Sequence, residues 1–275
     1  MNYTHIPEIS CFYSDTIDHA ILNPCAHFEY EMILVTGGSS QAIIGHRTYS
    51  LTRRCLVFIS RLERHNFVIQ KTPYTRYVAT MSSQLVMSGI KEPKLSSIFI
   101  QRPKEFCHVL KLDESTYSLI LPHFQKLEEE YRLRQEFFTT CCLSLVTSML
   151  IDLYRRCPRY FPVRAESSLS SAVLAAQRYI GEHFHRKLTI GEAAASAYVS
   201  AHALSMAFKD ISGVTFKEYL ILYRITEAKK LLITTDLSIS EIAEQVGYIN
   251  VNNFVKIFRD REHTTPLQYR RQFAS

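Results

Sequence analysis

Two short stretches near the end of this chain carry side chains suited to reading the edges of base pairs. His202, Ser205 and Met206 share one face at helical spacing, and Val251, Asn252, Asn253 and Lys256 repeat the arrangement further on. An asparagine amide can bridge adenine with two hydrogen bonds, a lysine can reach guanine, and valine or methionine can meet a thymine methyl. Lys209, Arg224, Arg259 and Arg270 are cations placed either for phosphate, which positions without specifying, or for ion pairs of their own. A second constellation stands far upstream. His27, Glu31 and His65 supply two imidazoles and a carboxylate, part of the ligand set of non-haem iron or manganese sites. As rim or core histidines His27 and His65 need no ligand at all, and Tyr30 and Arg64 beside them suit either gripping a small polar ligand or surface packing.

Helices must hold the first set. From Leu188 to Arg271 the chain is one helical unit written twice: Thr189-Ile-Gly-Glu192 lies over Ser238-Ile-Ser-Glu241, Phe208 over Phe258, Thr215 over Thr265 and Tyr219 over Tyr269. The second copy carries an extra residue around Gly247. Thr189/Glu192, Thr215/Glu218 and Ser238/Glu241 are capping boxes, in which a hydroxyl takes the backbone N–H three residues on and the glutamate reaches back. Thr265-Pro266-Leu267-Gln268 is a fourth, with proline at the first helical position. Ser200 and Asn250 are N-cap residues between these starts. Leu204, Phe208, Phe254 and Phe258 recur at four-residue spacing and belong to a core. The pattern predicts two helix-turn-helix units, each offering its second helix to a major groove. Two units are too few for a stable solenoid. The element from Thr215 to Leu232 joins them, and its stripe Tyr219, Leu220, Tyr223, Ala228 and Leu231 faces inward. A rigid joint of this kind would let one chain read two successive grooves.

The run Ser200-x-x-x-Leu204-x-x-x-Phe208-Lys209-x-x-x-Gly213-x-Thr215-x-x-x-Tyr219-Leu220 resembles the first half of the AraC/XylS-type regulator domain of bacteria. Ile239-x-x-Ile242-Ala243-x-x-x-Gly247-Tyr248-x-Asn250-x-x-x-Phe254-x-x-x-Phe258-Arg259, closed by Thr265-Pro266-x-x-Tyr269-Arg270, resembles its second, more diagnostic half. The resemblance covers roughly the last hundred residues. It implies base contact at His202, Ser205, Met206, Val251, Asn252, Asn253 and Lys256, with Lys209 and Arg259 also on the DNA side. Two positions depart from the family pattern. Met206 stands where a basic residue is common, and His263 replaces the usual glycine after the second reader helix, a position expected to be left-handed.

Composition sets the outer bounds. A chain of 275 residues is long enough for two cored domains, and 47% hydrophobic with 21% charged residues is ordinary for a globular protein. The formal net charge of +6 permits binding to a polyanion, but residues 166–275 carry only +2 of it, so the DNA reading rests on helix pattern rather than bulk charge. All 7 cysteines lie within the first 157 residues with no Cys-x-x-Cys pair, which points to reduced thiols in a cytoplasmic protein. The N-terminus shows no signal-peptide pattern and no stretch reaches the length of a membrane span, so no membrane partner is expected.

The expected fold is α+β in two domains: residues 1–160 an effector-binding and dimerisation domain, 161–169 a linker, and 170–275 the DNA-binding domain. Short strands are expected at Glu31–Thr36, Gln41–Ile44, Arg47–Leu51, Cys55–Ser60, Asn66–Gln70 and Tyr74–Met81, with Gly37-Gly38-Ser39-Ser40 a turn and Ser96–Ile100 a further strand. Close antiparallel strands suggest a sandwich or barrel, and the family resemblance implies a cupin-like barrel with its mouth near His27, Tyr30, Glu31, Arg64 and His65. Metal-dependent cupins usually open their site with His-x-His; here Cys25 stands at the first of those positions, so a small-molecule pocket is the expectation, with no metal and no cofactor. Two helices follow between Glu114 and Arg156, breaking near 130–136, where the resemblance places a homodimer contact. The function expected is an effector-controlled transcriptional regulator, not an enzyme, acting on double-stranded DNA and in reach of RNA polymerase. The alternatives are a cupin-type metalloenzyme joined to a DNA-binding domain and a ligand-independent regulator controlled by a protein partner.

Overall fold

The computed structural model describes residues 9–15, 27–83, 85–101, 106–162, 168–212 and 214–273. The chain divides into two compact units, Pro7–Arg164 and a second built on Ala165–Ser275. Five of the linker residues expected at 161–169 lie outside the described residues, as do Cys25 and the N-terminal segment. Phe161 is not linker: it is buried in the first core, 5.3 Å from the Tyr154 ring.

The first unit is a six-stranded antiparallel sheet of β1 (Ile9–Ser14), β2 (Tyr30–Ile44), β3 (Arg47–Thr52), β4 (Cys55–Ile59), β5 (His65–Met81) and β6 (Val109–Lys111). Its order is β1-β5-β2-β4-β6, with β3 paired to β2 off that path. The ladder is an open path among the described residues, so a closed barrel is not what the pairing records. Gly37–Ser40 is not a turn. β2 continues unbroken through it, paired to β5 from Tyr30↔Met81 to Ile44↔His65, and the register slips between Val35 and Ser40. Glycine and serine serve a bulge as readily as a turn. Gly38 sits at φ +69°, and a Cβ there would collide with the carbonyl oxygens of Lys71 and Pro73.

That bulge bends the ribbon back on itself. Straight, Glu31 and Ile44 would lie roughly 40 Å apart at ~3.3 Å per residue; yet Glu31 meets His65, the cross-strand partner of Ile44. The concave side of the fold is filled by Ile33, Val35, Ile44, Val57, Phe67 and their neighbours. The alternate residues Met32, Leu34, Leu56 and Phe58 face a second core, which is covered by α1 (Pro93–Ile100), α2 (Glu114–Leu133) and α3 (Phe138–Arg156). Ser96–Ile100, expected as a strand, is therefore part of a helix. A short apolar run cannot distinguish the two, and here Pro93 starts the helix while Ser96 and Ser97 donate their hydroxyls to the carbonyls of Pro93 and Lys94. α2 and α3 break at Arg134–Phe137, inside the expected zone at its start.

The second unit is all helical: α4 (Ser168–His183), α5 (Ile190–Ser196), α6 (Ala201–Ser212), α7 (Phe216–Thr234), α8 (Ile239–Gln245), α9 (Val251–Glu262) and α10 (Pro266–Phe273). Among the described residues no helix is long and apolar enough to cross a membrane.

Candidate nucleic-acid interface and effector site

Each start signal in the repeat forms its bond. Thr189, Thr215 and Ser238 each accept from the N–H three residues on, and Glu192, Glu218 and Glu241 reach back to complete their boxes. Gln268 does the same for Thr265, at 3.0 Å, while Ser200 and Asn250 accept from Ala203 and Asn253 at 3.2 and 3.1 Å. These bonds fix where α5, α6, α8, α9 and their neighbours begin. Each leading helix then ends in a left-handed residue, Tyr198 (φ +56°) in the first copy and Gly247 (φ +85°) in the second. The extra residue of the second copy falls after Gly247, within Tyr248-Ile249.

The two trailing helices present matched faces. On α6, Leu204, Ala207 and Phe208 are buried, whereas His202, Ser205, Met206 and Lys209 are exposed; on α9, Phe254 and Phe258 are buried, whereas Asn252, Asn253, Lys256 and Arg259 are exposed. Val251 departs from the expectation. It is half-buried and packs against the core of its own unit, because it is the first residue after the cap and faces back across the turn. The joining helix α7 serves both cores: Phe216 and Tyr219 pack edge-on to Phe208 (5.6 and 5.3 Å), and Ile225, Ala228 and Leu232 lie in the core built around Phe254 and Phe258.

Two of the expected phosphate cations are structural. Arg224 donates from Nε to the Phe184 carbonyl (2.8 Å) and from Nη2 to that of Arg186 (2.7 Å), with its guanidinium over the Tyr248 ring. Burial lowers its pKa. Arg270 donates to the carbonyls of Leu232 (3.1 Å) and Leu237 (2.6 Å), holding the end of α7 and the approach to α8. Each fork takes up carbonyls at or just beyond the end of one helix and before the start of the next. His263 is left-handed as expected, at φ 59° and ψ 14°.

In the first unit the bent ribbon gathers three of the five expected effector residues. Glu31 Oε2 lies 3.2 Å from His27 Nε2 and 3.3 Å from His65 Nε2. Burial pushes the Glu31 carboxyl up, but its two histidine partners outweigh that and hold it at about 2. His27 Nδ1 meets the Glu29 carbonyl at 3.1 Å and His65 Nδ1 the Glu63 carbonyl at 2.8 Å. Tyr30 is not with them. Adjacent strand residues face opposite ways, and its ring is buried in the helix-covered core 5.7 Å from Phe99, under the Arg61 guanidinium. Arg64 alternates out of the site in the same way and is exposed. Sequence reasoning missed a second, part-buried chain beside the cluster, Tyr49 Oη to His108 Nδ1 to Glu63 Oε1, both contacts 2.9 Å. Its members come from β3, the approach to β6 and the loop before β5, and no local spacing announces them.

Comparison with known proteins agrees with this geometry. Residues 193–272 match a family model described as a helix-turn-helix domain. The helix-turn-helix-type transcriptional regulator YijO of Escherichia coli is 36% identical over 110 residues, 40% of this chain and 39% of that protein. AdaA of Bacillus subtilis, a bifunctional transcriptional activator and DNA repair enzyme, is 33% identical over 117 residues, 42% of this chain and 56% of its own length. The chain thus spans only part of these relatives. Over nearly its whole length the fold is similar to that of ToxT from Vibrio cholerae, solved with an unsaturated fatty acid bound, at a TM-score of 0.63 and 14% identity over 97% of this chain and 96% of that one. The duplicated, capped helix pairs and the matched family model lead to one assignment: residues 193–272 are a helix-turn-helix domain, similar to those of transcriptional regulators and in keeping with the AraC/XylS-type resemblance.

Proposed function

We propose that the chain is a one-component regulator in which α6 and α9 enter successive major grooves of an operator. His202, Ser205 and Met206 read bases from α6, and Asn252, Asn253 and Lys256 from α9, with a smaller share for Val251 at the helix start. Lys209 and Arg259 contact phosphate. The observation that carries this reading is the duplicated pair of outward polar faces on helices whose opposite faces share one joining helix. Residues 170–275 act as the DNA-binding domain. Residues 1–160 act as a cupin-like domain that takes a small-molecule effector and pairs two protomers through α2 and α3, in the cytoplasm and within reach of RNA polymerase. Support for an effector comes from the fold neighbour that was solved with a fatty acid, and from the buried polar cluster inside the bent ribbon. An effector acts only through a difference in affinity for two arrangements of the protein. No catalytic role is assigned.

The test is binding of the purified chain to genomic fragments, with and without a paired Asn252→Ala and Lys256→Ala change. Selective binding that the pair weakens by ~100-fold or more is expected, since each good base contact contributes roughly 1–3 kcal/mol. Selective binding that survives the pair would keep the regulator and remove α9 as its reader.

A further inference from the structure

We propose that His27, Glu31 and His65 form a binding site for one divalent first-row transition-metal ion, a property that neither rests on nor follows from the DNA-binding reading. The argument begins with the ring nitrogens that face away from the cluster. His27 Nδ1 and His65 Nδ1 each meet a backbone carbonyl, of Glu29 and Glu63. A carbonyl oxygen can only accept, so each Nδ1 carries a proton; each Nε2 then either donates a second proton to the Glu31 carboxylate or offers a lone pair to a cation that takes that proton's place. Both Nε2 atoms point at the same carboxylate oxygen of Glu31, at 3.2 and 3.3 Å. With those protons displaced, three electron-pair donors converge, with all their ligand atoms within 4.8 Å of one another.

The convergence needs positive charge between the atoms, which is supplied either by a proton on each ring or by one metal ion that displaces both. A tetrahedral ion with bonds of ~2.0–2.1 Å sets its ligand atoms about 3.3–3.4 Å apart, close to the two spacings found. Two imidazoles and one carboxylate suit the middle of the first-row series, leaving further positions for water or a small molecule. The open side is at His27, which is partly exposed, while Glu31 and His65 are 8% and 4% exposed. The supporting layer is also present. Backbone carbonyls orient both rings, and the Glu63 segment is itself held by the Ser60 N–H on its carboxylate (2.6 Å) and by His108. Outer partners of this kind fix tautomer and ring orientation in metal sites. The ligands come from the approach to β2, from β2 itself and from the start of β5, so the bulge at Gly37–Ser40 is what assembles them.

The experiment uses the full chain free of any histidine tag, stripped with chelator and then titrated with Co²⁺ and Zn²⁺. The wild type is expected to retain one equivalent after desalting, with visible ligand-field absorption in the cobalt form that Zn²⁺ displaces. Glu31→Gln and His65→Ala, checked for native far-UV circular dichroism, are expected to bind at least ~10-fold more weakly. His46→Ala, which alters a histidine in the β2–β3 turn, should bind as the wild type does. Retention of less than about half an equivalent by the wild type overturns the proposal. So does undiminished binding by both ligand variants, because the ion would then be held elsewhere.

Discussion

The turns of the two helix-turn-helix units occupy the same left-handed conformation with opposite residue choices, so exchanging them should move stability in opposite directions. In the second unit, Gly247→Ala adds a Cβ 2.5 Å from the Phe184 carbonyl oxygen and 2.7 Å from Arg224 Nη2. The left-handed region alone costs an L-residue about 1–2 kcal/mol, less ~0.4–1 kcal/mol returned by a stiffer unfolded chain. Displacing Phe184 also strains the 2.8 Å bond it accepts from Arg224, and hydrogen bonds to charged groups contribute about 1.5–3 kcal/mol. The sum is a loss of roughly 2–4 kcal/mol. In the first unit Tyr198 holds the same conformation and is 97% exposed, so replacing it removes no packing. Tyr198→Gly relieves the left-handed cost and pays ~0.5–1 kcal/mol in glycine entropy, for a net gain of about 0.5–1 kcal/mol. Urea unfolding of the full chain, followed by far-UV circular dichroism, reads both. With a slope near 2 kcal/mol per molar, the glycine loss lowers the midpoint of the helical unit by ~1–2 M. A midpoint unchanged in Gly247→Ala, or lowered in Tyr198→Gly, refutes the equivalence of the two turns.

Other substitutions test neighbouring steps. His263→Gly should raise stability by about 0.5–1 kcal/mol on the same left-handed argument, seen as a higher urea midpoint. Arg224→Ala should cost roughly 2–4 kcal/mol by leaving two carbonyls short of partners, and Arg224→Lys should not rescue it, since an ammonium cannot span both as the fork does; the salt dependence of DNA binding stays as in wild type. Arg259→Ala should instead leave stability alone, weaken binding to all sequences alike, and reduce the slope of log affinity against log salt by about 1. Ser238→Ala should lower the urea midpoint by an amount equivalent to ~1 kcal/mol through loss of the α8 cap.

What the sequence disclosed depends on how local the physics is. Capping boxes act across three residues, so all four starts and both trailing helices were legible, and so was the left-handed site at His263. Bulge and turn draw on the same residues, so Gly37-Gly38-Ser39-Ser40 reads as the end of a strand until its partner strand is known. Ser96–Ile100 is apolar enough for either element, and its helix follows from Pro93 and from burial against the sheet, neither of which period alone reveals. The roles of Arg224 and Arg270 were hidden for another reason. Their partners lie some 30–40 residues away, and an arginine looks the same in sequence whether it faces phosphate or a helix end. His27, Glu31 and His65 were visible as residue types, but only the bend in the ribbon shows that they converge.

The shared joining helix bears on how a weak reader can matter. Met206 gives α6 less to offer a base pair than Lys256 gives α9, and an isolated first unit would have little affinity to spend on ordering itself at DNA. Here α7 puts Phe216 and Tyr219 into one core and Ile225, Ala228 and Leu232 into the other. If α9 seats in a groove as proposed, α6 is already placed, and its contacts add without a second loss of rotational and translational freedom. On this reading the first unit contributes through tethering more than through its own chemistry. Met206→Lys should then strengthen binding broadly through phosphate while leaving the preferred sequence nearly unchanged. If it redefines the preferred sequence instead, α6 reads bases on its own terms, and the rigid joint is not what gives it effect.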